Sequence, residues 1–211
     1  MSARALAAVV ALAATAWAMP AAAHNTGSND IPFVEASVGV AYANVLAFDN
    51  SSLIPGVNES REWGPHFGGT AGLRFGPVYF GARVDYSRFK PFDIGTAGLV
   101  GGLRIPIPIV QPWARVGFGY AWLGDVTMSS SLARCDPAST ATQCPSVRGW
   151  TLSGGAGVDF ALGRYLTLGV GVDLYVLNLT RSASPTMVSL QQSGDSVGLQ
   201  FTGSAQLGLH I

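Results

Sequence analysis

Apolar and polar residues alternate one by one along eight segments of the chain. From residue 33 to 42, alternate positions carry apolar side chains such as Val34 and Val38, and the positions between carry Glu35, Ser37 and Gly39. Only an extended strand places successive side chains on opposite faces, so this segment is predicted to be a β-strand with one apolar face. The alternation recurs in seven more segments, which are residues 66–75, 78–87, 96–105, 113–122, 150–160, 166–176 and 196–211.

The lengths of these segments and of their connections favour a membrane-spanning barrel. A run of about ten residues exceeds the five or six of a typical soluble strand and can cross a bilayer at a tilt. The connections alternate between long ones and short ones such as Gly76–Pro77, as in an eight-stranded antiparallel up-and-down β-barrel with brief periplasmic turns. A soluble β-sandwich is the alternative, but its outward face would need charges. Every Arg, Asp and Glu within the eight segments falls on the polar or small face, so that face is predicted to be the enclosed one.

The enclosed face is predicted to hold a network of ion pairs that plugs the lumen. Its members are Glu35, Arg74, Arg83, Asp85, Arg104, Arg115, Asp159 and Asp173. Four bases face four acids, and an unpaired buried charge costs several kcal/mol, so we expect mutual pairing. Position along the strands places Arg83, Asp85 and Asp173 near mid-barrel and the other five in the periplasmic half. Glycines share this face and leave room for long side chains. A narrow conduit with a charged lining is the alternative.

Aromatic residues at the ends of the apolar face are typical of membrane-interface girdles. Phe75, Phe80 and Phe160, and with them Phe33, are predicted at the periplasmic rim. The outer rim is predicted to carry Tyr42, Phe67, Tyr86, Tyr120, Trp122 and Trp150.

The first residues have the pattern of an export signal. Arg4 precedes an apolar run, which ends in Pro20 and the small residues 21–23. We therefore expect a signal peptide over residues 1–23, a periplasmic lead over 24–32 and the barrel over 33–211. No later segment offers about 18 unbroken apolar residues, which excludes a helical membrane protein. Cys135 and Cys144 then lie in an oxidising compartment, and a disulfide is expected to stiffen the loop that holds them.

Composition narrows the function further. Only 11% of the residues are charged, and the 12 basic and 12 acidic residues balance. The chain therefore lacks both the surface of a cytosolic enzyme and the basic footprint of a nucleic-acid-binding protein. No residue pattern indicates a metal site or a cofactor.

The eight alternating strands, the signal peptide and the final amphipathic strand resemble the small eight-stranded outer-membrane β-barrels of Gram-negative bacteria, the OmpA-like, OmpX-like and opacity-type proteins of the porin family. The final strand in that superfamily usually ends in Phe, whereas this one ends in Ile211. The resemblance implies a protein of the bacterial outer membrane, in contact with membrane lipid and lipopolysaccharide and expected to be monomeric.

The expected role is structural, or recognition of an extracellular ligand or host surface through the external loops. An OmpW-like channel for small solutes is the alternative. A lipid-modifying enzyme is an outside possibility. Only His66 among the histidines lies where such an enzyme would need one, with Ser87 or Ser153 conceivably near it. No motif links these residues, so the chain is predicted not to be an enzyme.

Overall fold

Eight antiparallel strands form a closed barrel in the computed structural model, which describes residues 30–45, 61–90, 92–107, 109–124, 147–162, 165–181 and 194–210. The strands are β1 Asp30–Asn44, β2 Arg61–Phe75, β3 Val78–Arg88, β4 Asp93–Arg104, β5 Val110–Gly124, β6 Val147–Ala161, β7 Leu166–Arg181 and β8 Gly194–His210. The predicted all-β, eight-stranded up-and-down architecture is confirmed. The predicted signal peptide, residues 1–23, lies outside the described residues.

Each strand pairs with its neighbours in the chain, and the barrel closes where β1 pairs with β8. The closing ladder runs from the pair Phe33 and His210 to the pair Asn44 and Leu199. Closure removes the exposed backbone edges that an open sheet would present to lipid. None of the described residues forms a helix long and apolar enough to cross a membrane.

The two ends of the barrel differ in their connections. At the turn end, β2 and β3 are joined by Gly76 and Pro77 alone. Gly76 has a φ of 60°, which the first central position of a type II′ hairpin turn requires and which glycine adopts without strain. Residues 105–109 and 162–165 make the other two connections at this end. The loop end carries the connections over residues 45–60, 89–92, 125–146 and 182–193.

The strands extend beyond the alternating segments, mostly toward the loop end. β2 begins at Arg61 instead of residue 66, and β7 continues to Arg181 instead of residue 176. β1 begins at Asp30, three residues before the predicted start of the barrel. At the loop end of β7 the strand continues beyond the predicted segment, but the alternation reverses, because the inner face becomes apolar and the outer face polar. Leu177 and Leu179 both face inward and are fully buried.

The two faces of the wall have the predicted character. The inner face holds the buried polar and charged side chains, while the outer face exposes large apolar ones such as Leu99 and Val116. Phe33 corrects one prediction: it is buried in the lumen, with its ring edge-on to that of Tyr79 at 5.6 Å, and does not lie at the periplasmic rim. Phe33 lies two residues from Glu35, and residues two apart in a strand share a face.

Candidate functional site

Two groups of ion pairs cross the lumen at different heights. The first, the lower cluster, is centred on Arg104 of β4, which donates a hydrogen bond to Glu35 of β1 and lies 2.8 Å from Asp159 Oδ2 of β6. The Arg104 Nη1 atom also lies 3.4 Å from the Nε2 atom of His210, on β8. Asp159 Oδ1 accepts a hydrogen bond of 3.2 Å from the indole Nε1 of Trp113. The guanidinium of Arg104 thus links β4 to β1, β6 and β8, none of which pairs with β4.

The second group, the central cluster, connects opposite walls. Arg115 of β5 donates two hydrogen bonds to the carboxylate of Asp173 on β7, at 2.7 and 2.6 Å. Arg83 of β3 donates to Asp85 at 2.7 Å and to Asp173 at 3.3 Å. Tyr175 of β7 donates to Asp85 Oδ2 at 3.0 Å. Strands β3 and β7 are four places apart in a ring of eight, so these bonds span the full width of the lumen.

The structure brings together seven of the eight predicted lumen charges. Arg74 is the exception, because its Nε donates instead to the backbone carbonyl of Gly76, at 2.8 Å, in the hairpin turn. Arg115 was expected in the periplasmic half, but its side chain joins Asp173 in the central cluster. Alternation predicts which face a residue occupies, whereas the strand stagger and the reach of a side chain decide its partner.

Glycine on the inner wall makes space for these carboxylates. Gly155 pairs directly with Asp173 across β6 and β7, and Gly169 pairs with Asp159 across the same two strands. A Cβ atom at either glycine would collide with the carboxylate opposite it. The glycines are therefore part of the geometry of the ion pairs, as the sequence predicted.

A histidine network adjoins the central cluster. The Nδ1 atom of His66 lies 2.9 Å from Ser87 Oγ, and its Nε2 atom lies 3.5 Å from Asp85 Oδ1. Gln200 Nε2 donates to the same Ser87 Oγ at 2.8 Å. Ser, His and Asp are the residue types of a hydrolytic triad. His66 and Ser87 have no exposed surface and Asp85 has 4%, so no substrate reaches them in this conformation.

An apolar layer, the loop-end layer, fills the lumen between the central cluster and the loops. Its side chains come from five strands, from Val45 directly after β1 and from the β3–β4 connection, and all of them are buried: Ala41, Ala43, Val45, Phe89, Phe92, Ile94, Ala121, Val147, Tyr175, Leu177 and Leu179. Phe89 and Phe92 belong to the short connection and pack together with ring centroids 5.1 Å apart. Sequence reasoning missed this layer, because near the loop end the apolar residues face inward instead of outward, as Leu177 and Leu179 do beside the outward Asn178 and Thr180.

A small cavity adjoins the central cluster. A cavity of about 20 Å³ lies beside Arg83 and Asp85, which is enough for about one water molecule. Three buried side-chain oxygens on the inner face of β8 have no hydrogen-bond partner within the described structure: Gln200 Oε1, Thr202 Oγ1 and Gln206 Oε1. Bound water is the usual partner of such atoms. No group of three or more potential metal ligands occurs among the described residues.

The aromatic residues predicted for the girdles lie on the outer face, apart from Phe33. Phe75, Phe80 and Phe160 lie toward the turn end, and Tyr42, Phe67, Tyr86, Tyr120, Trp122 and Trp150 toward the loop end. Trp63, which sequence reasoning did not place there, is 66% exposed at the loop end, with its ring 5.0 Å from that of Tyr42. Cys135 and Cys144, the predicted disulfide, lie outside the described residues.

Comparison with known proteins gives matches in structure alone. No family model matches the chain, and no curated protein matches it. The solved structure of Neisserial surface protein A superposes with a TM-score of 0.56 at 13% identity, covering 84% of this chain and 96% of that one. The outer membrane protein AlkL, solved in lipid bilayers, superposes with a TM-score of 0.54 at 14% identity, covering 92% of this chain and 96% of that one.

These likenesses agree with the physical character of the wall. The outer face exposes Leu99, Val116 and Phe118 at 71%, 70% and 62%. Water would leave such a surface to aggregate, whereas the hydrocarbon of a bilayer covers it. The chain therefore has the fold of the small eight-stranded outer-membrane β-barrels of bacteria, and its outer face has the character of a surface that contacts lipid.

Proposed function

We propose that this barrel is a closed scaffold of the bacterial outer membrane, which presents its loop-end connections at the cell surface and conducts no solutes. The observation that carries the proposal is the reach of Arg83, Arg104 and Arg115 across the lumen to carboxylates on distant strands. An eight-stranded barrel has room inside for side chains and little else. Ion pairs that join opposite walls occupy that room and hold the wall in one shape.

The loop-end layer supports the same proposal. A solute that entered from the outside would first have to displace Phe89, Phe92 and Leu177, which are packed against one another. An apolar barrier above a layer of ion pairs opposes the passage of both ions and sugars. The function of the molecule is then assigned to its connections over residues 46–60, 125–146 and 182–193, where a rigid scaffold would display recognition residues. One barrel of matching fold is, by its name, a surface protein.

Single-channel recording in planar bilayers tests the proposal. The native protein is expected to give no discrete conductance steps. Arg104→Ala leaves Glu35 and Asp159 without their counter-charge, so it should lower the free energy of unfolding by about 3–5 kcal/mol and still give no steps. Arg74→Ala is the matched control, because Arg74 forms no ion pair within the described structure. Regular steps from the native protein, with an ion selectivity that Arg104→Ala changes, would refute the closed scaffold.

A narrow conduit is the second candidate. The unpaired oxygens along β8 and the small cavity favour it, because they would hold water inside the lumen. Selective steps in the recording above would establish this candidate in place of the scaffold.

The absence of enzymatic activity is also part of the proposal. The burial of Ser87 and His66 supports it, because a hydrolase must bring its nucleophile to the substrate. Mass spectrometry of lipid A from cells that produce the native protein or Ser87→Ala tests this part. The two spectra are expected to be identical, and an acyl chain whose loss or gain depends on Ser87 would contradict it.

A further inference from the structure

The exposed basic side chains of the described barrel all lie at its loop end. They are Arg61, Arg88, Lys90 and Arg148. The turn end has no exposed Lys, Arg, Asp or Glu among the residues whose side chains the structure describes. At the loop end the described structure has one exposed acid, Asp195, which is on β8. The described part of this rim therefore has more exposed positive than negative side chains from β2 to β6.

An aromatic platform lies among three of these cations. Along one row of directly paired outward residues stand Tyr86, Gly95, Trp122 and Arg148. The indole of Trp122 lies over Gly95, so closely that a Cβ atom there would collide with the ring. Trp122 also stacks with Tyr120, with 6.3 Å between the ring centroids. The platform is thus an aromatic surface held flat against the wall at the height of the rim.

Among the described residues, the exposed charges around this platform are positive. Arg148 is paired directly with Trp122, and Arg88 lies one row closer to the loops, paired with Asp93. Asp93 is only 6% exposed and accepts a hydrogen bond from the hydroxyl of Tyr86, so its carboxylate is largely covered. Arg88, Lys90 and Arg148 are exposed and form no ion pair within the described structure. Three strand spacings of about 4.8 Å separate Arg88 from Arg148, roughly 14 Å, so the site is wider than one phosphate.

Below the platform, toward the turn end, the same strands expose an apolar wall. Leu99 of β4 and Val116 and Phe118 of β5 are more than half exposed. Cations and an aromatic surface at the rim, directly above an apolar wall, match the order of groups in a membrane lipid, whose charged headgroup stands above its acyl chains. A lipid fits this surface better than a soluble anion does, because only a lipid has acyl chains that cover the apolar wall.

We propose that Arg88, Lys90, Trp122 and Arg148, here called the rim platform, bind the phosphorylated sugar headgroup of a glycolipid of the outer leaflet. The indole of Trp122 packs against a sugar ring, and the three cations contact phosphate groups. The acyl chains lie along β4 and β5. This inference goes beyond the proposed function and does not depend on whether the lumen conducts.

Native mass spectrometry of the purified full chain, titrated with bisphosphorylated lipid A and with the same lipid after removal of its phosphates, tests the rim platform. The native protein is expected to prefer the phosphorylated form, and added salt should weaken that preference. Arg88→Ser should lower the affinity for the phosphorylated form about fivefold, and the triple variant Arg88→Ser, Lys90→Ser, Arg148→Ser by more than about tenfold.

Arg61→Ser is the matched control, because it removes one exposed charge at the same end but on β2, outside the platform. It should leave the affinity within about twofold of the native value. Heat-modifiable gel mobility shows that each variant is folded before it is titrated. Equal binding of the two lipid forms by the native protein would overturn the proposal. So would an equal loss of affinity in Arg61→Ser and Arg88→Ser.

Discussion

The ion pairs on the inner wall depend on glycine as well as on arginine and aspartate, because glycine leaves space for the carboxylates. Asp173 accepts hydrogen bonds from Arg115 and from Arg83, and its carboxylate lies directly over Gly155. A larger residue at that position would push the carboxylate away from both guanidinium groups. A buried ion pair stabilises a protein only when its geometry is good, so this glycine controls whether the central cluster stabilises the barrel at all.

Two neighbouring glycines on β6 separate this steric effect from the general effect of losing glycine. We predict that Gly155→Ala lowers the free energy of unfolding by about 1–3 kcal/mol, as overpacking of a filled interior does. Gly154→Ala should be neutral or slightly stabilising, because Gly154 faces outward and a Cβ there would meet nothing closer than 4.0 Å. Urea unfolding of both variants in lipid vesicles is the measurement. Equal losses in the two variants would show that the contact between a Cβ atom at position 155 and the carboxylate of Asp173 does not determine the loss of stability.

Among the elements, the short β3–β4 connection contributes two buried aromatic rings to the interior of the barrel. Phe89 and Phe92 fold inward from it and complete the loop-end layer, and the backbone amide of Phe89 donates to the carbonyl of Phe92 at 2.9 Å. Both rings belong to the same buried cluster as Leu177 and Leu179 of β7, so this connection contributes to the packing of the lumen at the described loop end.

Truncation of one of these rings tests the stability contributed by the loop-end layer. Phe92→Ala is expected to lower the free energy of unfolding by about 3–5 kcal/mol, because it leaves a cavity among buried side chains. Phe118→Ala removes the same ring from the outer face, where lipid fills the space, and should cost clearly less. Unfolding in vesicles, followed by tryptophan fluorescence, measures both. A larger loss in Phe118→Ala would mean that the layer is not a packed core.

Strand number and the facing of residues could be predicted from the alternation, and the antiparallel arrangement from the long and short connections. On β7, for example, Thr167, Gly169, Gly171 and Asp173 face inward as predicted. The pattern changes at Leu177, because from there the apolar residues face inward and the polar residues Asn178 and Thr180 face outward, and so the loop-end layer was missed. The partners of Arg74 and Arg115 could not be predicted either. They depend on the stagger between strands and on side-chain reach, neither of which alternation encodes.

At the scale of the whole molecule, the barrel has three layers inside and one environment outside. The lower and central clusters and the loop-end layer fill the lumen, while one continuous apolar wall faces the membrane. The rim platform lies where this wall ends at the loop side. The outward positions are therefore expected to contact lipid, and the inward positions neither lipid nor bulk water.

Fluorescence quenching of single-tryptophan variants in vesicles of brominated phospholipid tests this arrangement most directly. Trp150 is 42% exposed on the outer face, whereas Trp113 is 3% exposed and faces the lumen. With the other tryptophans replaced by Phe, we predict strong quenching of Trp150 by the lipid, and quenching of Trp113 by neither the lipid nor aqueous iodide. Quenching of Trp113 by the brominated lipid to the same extent as Trp150 would contradict the account.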